Sequence, residues 1–178
     1  MAKTLTWLIR LLLIITAIAI VSKVTELKTN TLIEAQNSAG TPVTAAERDR
    51  QLTCLAKNIY HEAASEPFEG KVAVAQVTMN RASSSKFPDD ICQVVYQKNV
   101  IYGKVICQFT WYCENGPVIR SNALYRESME VAKKVLLENF RLPSMKYAYY
   151  YHADYVNPNW KLPKIGQIGR HIFYGQKT

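Results

Sequence analysis

The sequence predicts an α+β domain behind an apolar N-terminal segment. Three stretches between residues 44 and 139 repeat apolar residues at helical spacing. After residue 146 the chain turns rich in Tyr and other strand-favouring residues. Helices followed by strands give a helical lobe with a small C-terminal antiparallel sheet.

The chain opens Met1-Ala-Lys-Thr-Leu-Thr-Trp-Leu-Ile-Arg10 and continues in an apolar run from Leu11 to Val21, relieved by Thr16. A positive start and a short apolar run form the signal-peptide pattern, and Ala17-Ile18-Ala19 offers a small-x-small cleavage site. Counted from Leu5 to Val24, the segment approaches the roughly 20 residues that span a bilayer, so it suits an uncleaved anchor as well. Residues 1–24 are therefore expected to be a signal peptide or signal-anchor helix. The protein is expected to be exported, to the periplasm or the outer face of the inner membrane, with residues 5–24 as a membrane tether. Residues 25–43 read as a linker, and residues 44–178 as the domain.

The domain begins with a capping box, Thr44 and Glu47. Leu52, Leu55, Ala56, Ile59, Tyr60 and Ala63 then form one helical stripe, which Ser65-Glu66-Pro67 ends because the residue before Pro avoids helical geometry. A second helix is expected from Glu69 to Ala82. Val72, Val74, Ala75, Val77 and Met79 make it apolar on most sides and hence central. Ser83 to Asp90 reads as a loop, and Ile91 to Thr110 as a short helix followed by irregular structure. Asn115-Gly116-Pro117 is a turn. A third helix is expected from Ser121, its N-cap, to Asn139, with Leu124, Tyr125, Met129, Ala132, Val135 and Leu136 inward. Lys146 to Tyr155 and Ile168 to Tyr174 are the expected strands.

The net charge of +8 favours an anionic partner, but no run of like charges forms. Clustered Lys and Arg interleaved with aromatics are missing, so nucleic acid is not expected as a partner. Cys54, Cys92, Cys107 and Cys113 lack the C-x-x-C spacing of a zinc ribbon. In an exported chain they predict one or two disulfides, and three pairings are open.

Glu62 is the first candidate for chemistry, the alternative on spacing alone being a rim carboxylate paired with Lys or Arg. It falls at the edge of the stripe made by Leu55 and Ile59, while His61 is expected on the opposite side. A carboxyl beside an apolar face, near a helix C-terminus, has its charged form disfavoured and can hold a proton near neutrality. A general acid for glycan cleavage needs that property. Most glycosidases also need a second carboxylate. Glu66, Glu69, Asp89, Asp90, Glu114 and Asp154 are candidates, and spacing singles out none. A lytic transglycosylase manages with one residue: it protonates the bridging oxygen and then takes a proton from the sugar's own 6-hydroxyl.

Leu55-Ala-Lys-Asn-Ile-Tyr-His-Glu62-Ala63, Glu66-Pro67-Phe68-Glu69-Gly70, Val72-Ala-Val-Ala75, Asn80-Arg81 and Phe87-Pro88 resemble the opening of the SleB-type cell wall hydrolases, the spore-cortex-lytic enzyme family. Cys107-Gln108-Phe109-Thr110-Trp111 resembles that family's Gln-Phe segment. Tyr150-Tyr151-His152, Pro158, Trp160 and Ile168-Gly169-Arg170-His171-Ile172-Phe173 resemble its closing segment. The likeness covers about residues 51–175. It implies a fold like lysozyme and the lytic transglycosylases, peptidoglycan glycan strands as partner and substrate, cleavage between N-acetylmuramic acid and N-acetylglucosamine, and Glu62 as the catalytic residue. An uncleaved anchor on a small wall enzyme would suit an endolysin.

Substrate contacts are expected from Tyr151 and His152 on the tail, and from Gln108 and Trp111. In a strand, Tyr147, Tyr149 and Tyr151 would share one face and Ala148, Tyr150 and His152 the other. Tyr offers a sugar both an apolar ring face and a hydroxyl. No cofactor or metal is expected, because His61-Glu62 has Ser65 where an H-E-x-x-H zinc site needs its second His. The alternatives are a zinc amidase or endopeptidase built from His61, His152 and His171, and a wall-binding protein without activity. A Cys nucleophile with His152 or His171 is disfavoured by export.

Overall fold

Leu52, Leu55, Ala56 and Ile59 define a helix that runs Ala45–Ala63 (α1) in the computed structural model. The structure describes residues 7, 15, 16, 18–28, 43–114, 116 and 118–176. Much of the expected leader 1–24 and linker 25–43 lies outside these residues, as do Ala17 of the cleavage site and Asn115 and Pro117 of the expected turn. Residues 18–28 are helical, and among the described residues no helix is long and apolar enough to cross a membrane. The chain divides into two units, Met1–Thr44 and Ala45–Thr178; the second carries the folded core.

Pro67 ends the α1 connection and stands at the N-cap of α2, Phe68–Ala82. Asp90 caps α3, Ile91–Val95, by accepting the Gln93 N–H at 2.8 Å. A hairpin follows, β1 (Lys98–Ile101) and β2 (Lys104–Cys107), then the short α4, Thr110–Glu114. The long α5, Asn122–Leu136, has Ser121 as its N-cap, accepting from Leu124 N–H. The 3-10 turn Pro143–Met145 leads to β3 (Tyr150–Ala153), β4 (Lys164–Ile168) and β5 (His171–Tyr174). These three form an antiparallel sheet in the order β3-β5-β4. The α+β expectation holds.

α2 is the central element, as its all-round apolarity predicts. Val72 and Ala75 join Leu55, Ile59, Val94, Val95, Val131 and Val135 in the helical core. Ala73, Val74 and Val77 face the other way, onto Met145, Ala148 and Phe173 beneath the sheet. Two disulfides tie the lobe: Cys54–Cys92 joins α1 to α3, and Cys107–Cys113 joins β2 to α4. No cysteine is free, so a thiolate nucleophile has no source.

Several expectations need correction. The stretch expected to be irregular after the short helix is the β1–β2 hairpin, whose exposed strands lack the buried face that alternation would reveal. The strand expected from Lys146 begins only at Tyr150. Polar residues of α2 hold the preceding main chain instead: Gln76 pairs with both backbone groups of Leu142, Asn80 donates to the carbonyls of Met145 and Ala148, and Arg81 donates to that of Tyr149. The single strand expected at 168–174 is two strands around Gly169, whose φ of +56° lets the chain reverse. On α5 the buried stripe is Ser128, Val131, Ala132 and Val135, with Leu124 exposed.

Candidate active site

The last turn of α1, the C-terminal end of α2, the β2–α4 segment and the inner face of the sheet enclose an open cleft of about 580 Å³. Glu62, Gln108, Trp111, Tyr151 and His152, the five residues singled out by sequence, all line it. They come from three stretches of the chain, α1, the β2–α4 segment and β3, so the fold alone brings them together.

Glu62 sits half-buried in the cleft wall. Burial pushes its carboxyl pKa up from 4.5 to about 7, against the Tyr151 hydroxyl and the Arg81 charge, which both favour the carboxylate. The Tyr151 hydroxyl donates to Glu62 Oε2 at 3.1 Å. The Tyr151 ring is fixed by the edge of His171 and by Phe173, with centroids 5.1 and 5.6 Å away. Burial, then the Glu62 charge, push the Tyr151 phenol well above its usual pKa. Tyr151 is therefore a protonated donor throughout the neutral range.

Arg81, quoted in the Asn80-Arg81 motif but given no role there, also lines the cleft. It is 3% exposed, and its guanidinium lies over the rings of Phe87, Phe109 and Tyr150 at 5.3–5.8 Å. Nε donates to the Tyr149 carbonyl at 2.8 Å, while Nη1 has no hydrogen-bond partner among the described residues. Burial lowers its pKa, yet an Arg guanidinium stays charged near neutrality. The available signal was a basic residue inside a helix apolar on most sides.

Trp111 is only 6% exposed. Its indole N–H donates to Asn58 Oδ1 at 3.2 Å, and Asn58 donates to Thr78 at 3.1 Å. One ring face is covered by His61, stacked at 4.2 Å and 13°. His61 thus covers one of the two faces that Trp111 could offer a sugar ring, and Trp111 still lines the cleft. His61 itself lines the cleft beside Glu62, not the far side of the helix, because α4 packs over that flank and draws the imidazole in.

His152 Nδ1 lies 2.8 Å from the Ala153 carbonyl, which can only accept, so Nδ1 carries the proton. Nε2 lies 3.0 Å from the Tyr174 hydroxyl. The ring also packs against Trp160 and Tyr174. The expected face shared by Tyr147, Tyr149 and Tyr151 is not formed, since 147 and 149 precede β3. Instead Tyr150, Trp160 and Tyr155 line the cleft beside Tyr151 and His152. Gln108 is held by its backbone, which donates to Gln97 O at 2.9 Å.

Of the six candidate second carboxylates, Glu114 alone lines the cleft. Glu66 accepts the Arg170 N–H at 2.9 Å beneath the β4–β5 turn. Asp90 caps α3 and meets Arg50 and Gln51. Asp154 pairs with Arg170 at 3.6 Å. Among the described residues no group of three His, Cys, Asp or Glu side chains converges as a metal would require.

The family described as Cell Wall Hydrolase matches residues 65–174, a span that begins three residues after Glu62. The spore cortex-lytic enzyme of Halalkalibacterium halodurans is 31% identical over 144 residues, 79% of this chain and 39% of that protein. That of Oceanobacillus iheyensis is 32% identical over 140 residues, 76% of this chain and 45% of that protein. That of Bacillus subtilis is 30% identical over 129 residues, 70% and 37%. The chain thus spans less than half the length of these relatives. Among solved structures, the catalytic domain of the Bacillus cereus SleB protein superposes with a TM-score of 0.56 at 24% identity, over 76% of this chain and 96% of that one. The catalytic domain of a germination-specific lytic transglycosylase, SleB of Bacillus anthracis, gives 0.55 at 25% identity, over 75% and 99%.

Proposed function

Since the chain belongs to the cell wall hydrolase family, we propose that it cuts peptidoglycan glycan strands between N-acetylmuramic acid and N-acetylglucosamine by lytic transglycosylation, with Glu62 as acid and then base. The observation that carries this reading is one cleft carboxyl poised near neutrality, its pKa pushed up to about 7 by burial. The name of the Bacillus anthracis relative, a lytic transglycosylase, supports the same reaction class.

Protonated Glu62 gives its proton to the glycosidic oxygen as the C1–O bond breaks. The leaving N-acetylglucosamine departs as an alcohol, and Glu62 becomes a carboxylate. The Tyr151 O–H, at 3.1 Å, and the Arg81 charge stabilise that carboxylate. The muramyl 6-hydroxyl attacks C1, and Glu62 takes its proton. The 1,6-anhydro ring closes, Glu62 is protonated again, and no water is consumed. Gln108, His152 and Tyr151 line the strand's path, while Trp111 acts through His61 as a positioning residue. A hydrolase would need Glu114 as its second carboxylate.

The test is a pair of variants on a peptidoglycan suspension. Glu62→Gln should abolish clearing, and Glu114→Gln should leave it. A Glu62→Gln protein that folds and clears at the native rate would sink the reading. A zinc amidase gains no support from the histidines, which point to Trp111, Tyr174 and Tyr151.

The two disulfides favour an oxidising compartment. We place the enzyme outside the cytoplasm, held by residues 5–24 at the outer face of the inner membrane, as an endolysin of anchored type would be. Expressing the full chain without a holin should then lyse cells; retention of the protein in the soluble cytosolic fraction would contradict this placement.

A further inference from the structure

The β1–β2 hairpin stands outside the C-terminal sheet. Every residue of β1 and the first three of β2 are exposed. At its tip Tyr102 and Gly103 both take positive φ, 50° and 73°, the two-residue turn that matches strand twist. Around that turn Val100 is 72% exposed, Val105 58% and Tyr102 fully, and Ile101 and Ile106 are exposed too. Soluble proteins usually blunt an unpartnered hairpin with charge, Pro or a bulge. This one leaves four large apolar side chains exposed beside its two lysines.

The pairing puts Val100 and Val105 on one face, and Ile101 with Ile106 on the other. A protein groove or a second copy would cover one face of such a ribbon. A surrounding apolar medium takes both. The charge is one-sided as well: no Asp or Glu occurs between Asp90 and Glu114, while Lys98 and Lys104 lie on the hairpin of a chain with net charge +8.

We propose that the β1–β2 hairpin inserts its tip into the interfacial layer of an anionic lipid bilayer. Four residues per strand reach about 13 Å, enough for the roughly 5–10 Å of interfacial burial. Tyr102, the leading residue, would sit deepest, at the headgroup–acyl boundary that amphipathic rings favour, and Lys104 can extend its ammonium back to the lipid phosphates. The base is fastened by the Gln108 N–H to Gln97 O bond and by Cys107–Cys113. Because β2 runs directly into Gln108 and Phe109 of the cleft, insertion fixes which way the cleft opens relative to the membrane. None of this depends on the reaction assigned to the cleft.

The test uses the full chain carrying Tyr102→Trp, mixed with phosphatidylglycerol–phosphatidylcholine vesicles whose acyl chains are brominated at known depths. The emission added over the unsubstituted chain should shift to the blue and lose intensity to shallow bromines. Adding Val100→Ser and Val105→Ser should abolish that loss without moving the melting temperature, and phosphatidylcholine alone should give little of it. However the chain reaches the vesicle, the readout is local to residue 102. Unquenched tip emission from vesicle-bound protein would overturn the proposal. So would a blue shift that follows protein concentration, or one produced only by peptidoglycan fragments, since these would mean a second copy or the glycan as occupant.

Discussion

At the scale of single residues the cleft is organised around one proton. The Glu62 carboxyl has its pKa raised from 4.5 to about 7. As the proposed acid it must enter the reaction protonated, so the rate should fall as pH rises through about 7. Replacing Tyr151 by Phe removes a donor that favours the carboxylate, and the alkaline limb of the pH–rate profile should move upward while turnover drops. An unmoved limb would mean that another group sets it. The same shift has a stability consequence. A carboxyl whose folded pKa lies above its unfolded one contributes stability fully below about 4.5, and loses it as pH rises through 7. Glu62→Gln should therefore melt higher than the parent at pH 8, by up to about 3 kcal/mol, and alike at pH 4. Loss of activity should accompany that gain, by ~10²-fold or more. Asn58 has a purely architectural part. Asn58→Leu strips Trp111 and Thr78 of partners and should lower stability by about 1–3 kcal/mol, read by thermal melting.

At the scale of elements, the sheet is clipped to the helical lobe through Glu66 and Gly169. A Cβ at Gly169 would lie 1.8 Å from Glu66 Oε2, at a backbone φ of +56°. Gly169→Ala should destabilise by about 2 kcal/mol or more and raise KM as the wall carrying Tyr151 shifts. A native melting curve for that variant would contradict the clip. The sequence made the helices legible because each writes its own signal: the stripe through Leu55 and Ile59, the Pro67 stop, the Ser121 cap. Glu62 stood out through the family likeness, because a carboxyl at the edge of an apolar stripe reads equally as a rim carboxylate paired with Lys or Arg. The strands were less legible. Strand β3 is shortened by side chains more than 60 residues away in sequence, Gln76 and Asn80 among them. The β1–β2 hairpin has no buried face, and so no alternation to read. His61 was misplaced because what turns it toward the cleft is Trp111, from another helix.

At the scale of the domain, a modest helical core carries a cleft walled by α1, α2, the β2–α4 segment and the C-terminal sheet, and two disulfides tie the helical lobe. Cys54–Cys92 closes a loop of 38 residues, for which chain entropy predicts about 4 kcal/mol of stabilisation. Reduction should lower the melting temperature markedly, and a Cys107→Ser, Cys113→Ser pair should do so less while weakening substrate affinity. Equal melting before and after reduction would show that the disulfides are incidental. Basic charge, disulfides and an exposed apolar hairpin together suit a wall enzyme working against a membrane surface.

The central claim is that one carboxyl suffices, and the masses of the soluble products test it most directly. Purified protein digesting isolated peptidoglycan should release muropeptides ending in 1,6-anhydro-muramic acid, and Glu62→Gln should release none. Products one water heavier, with reducing ends, would contradict single-residue transglycosylation and make Glu114 the base of a hydrolase.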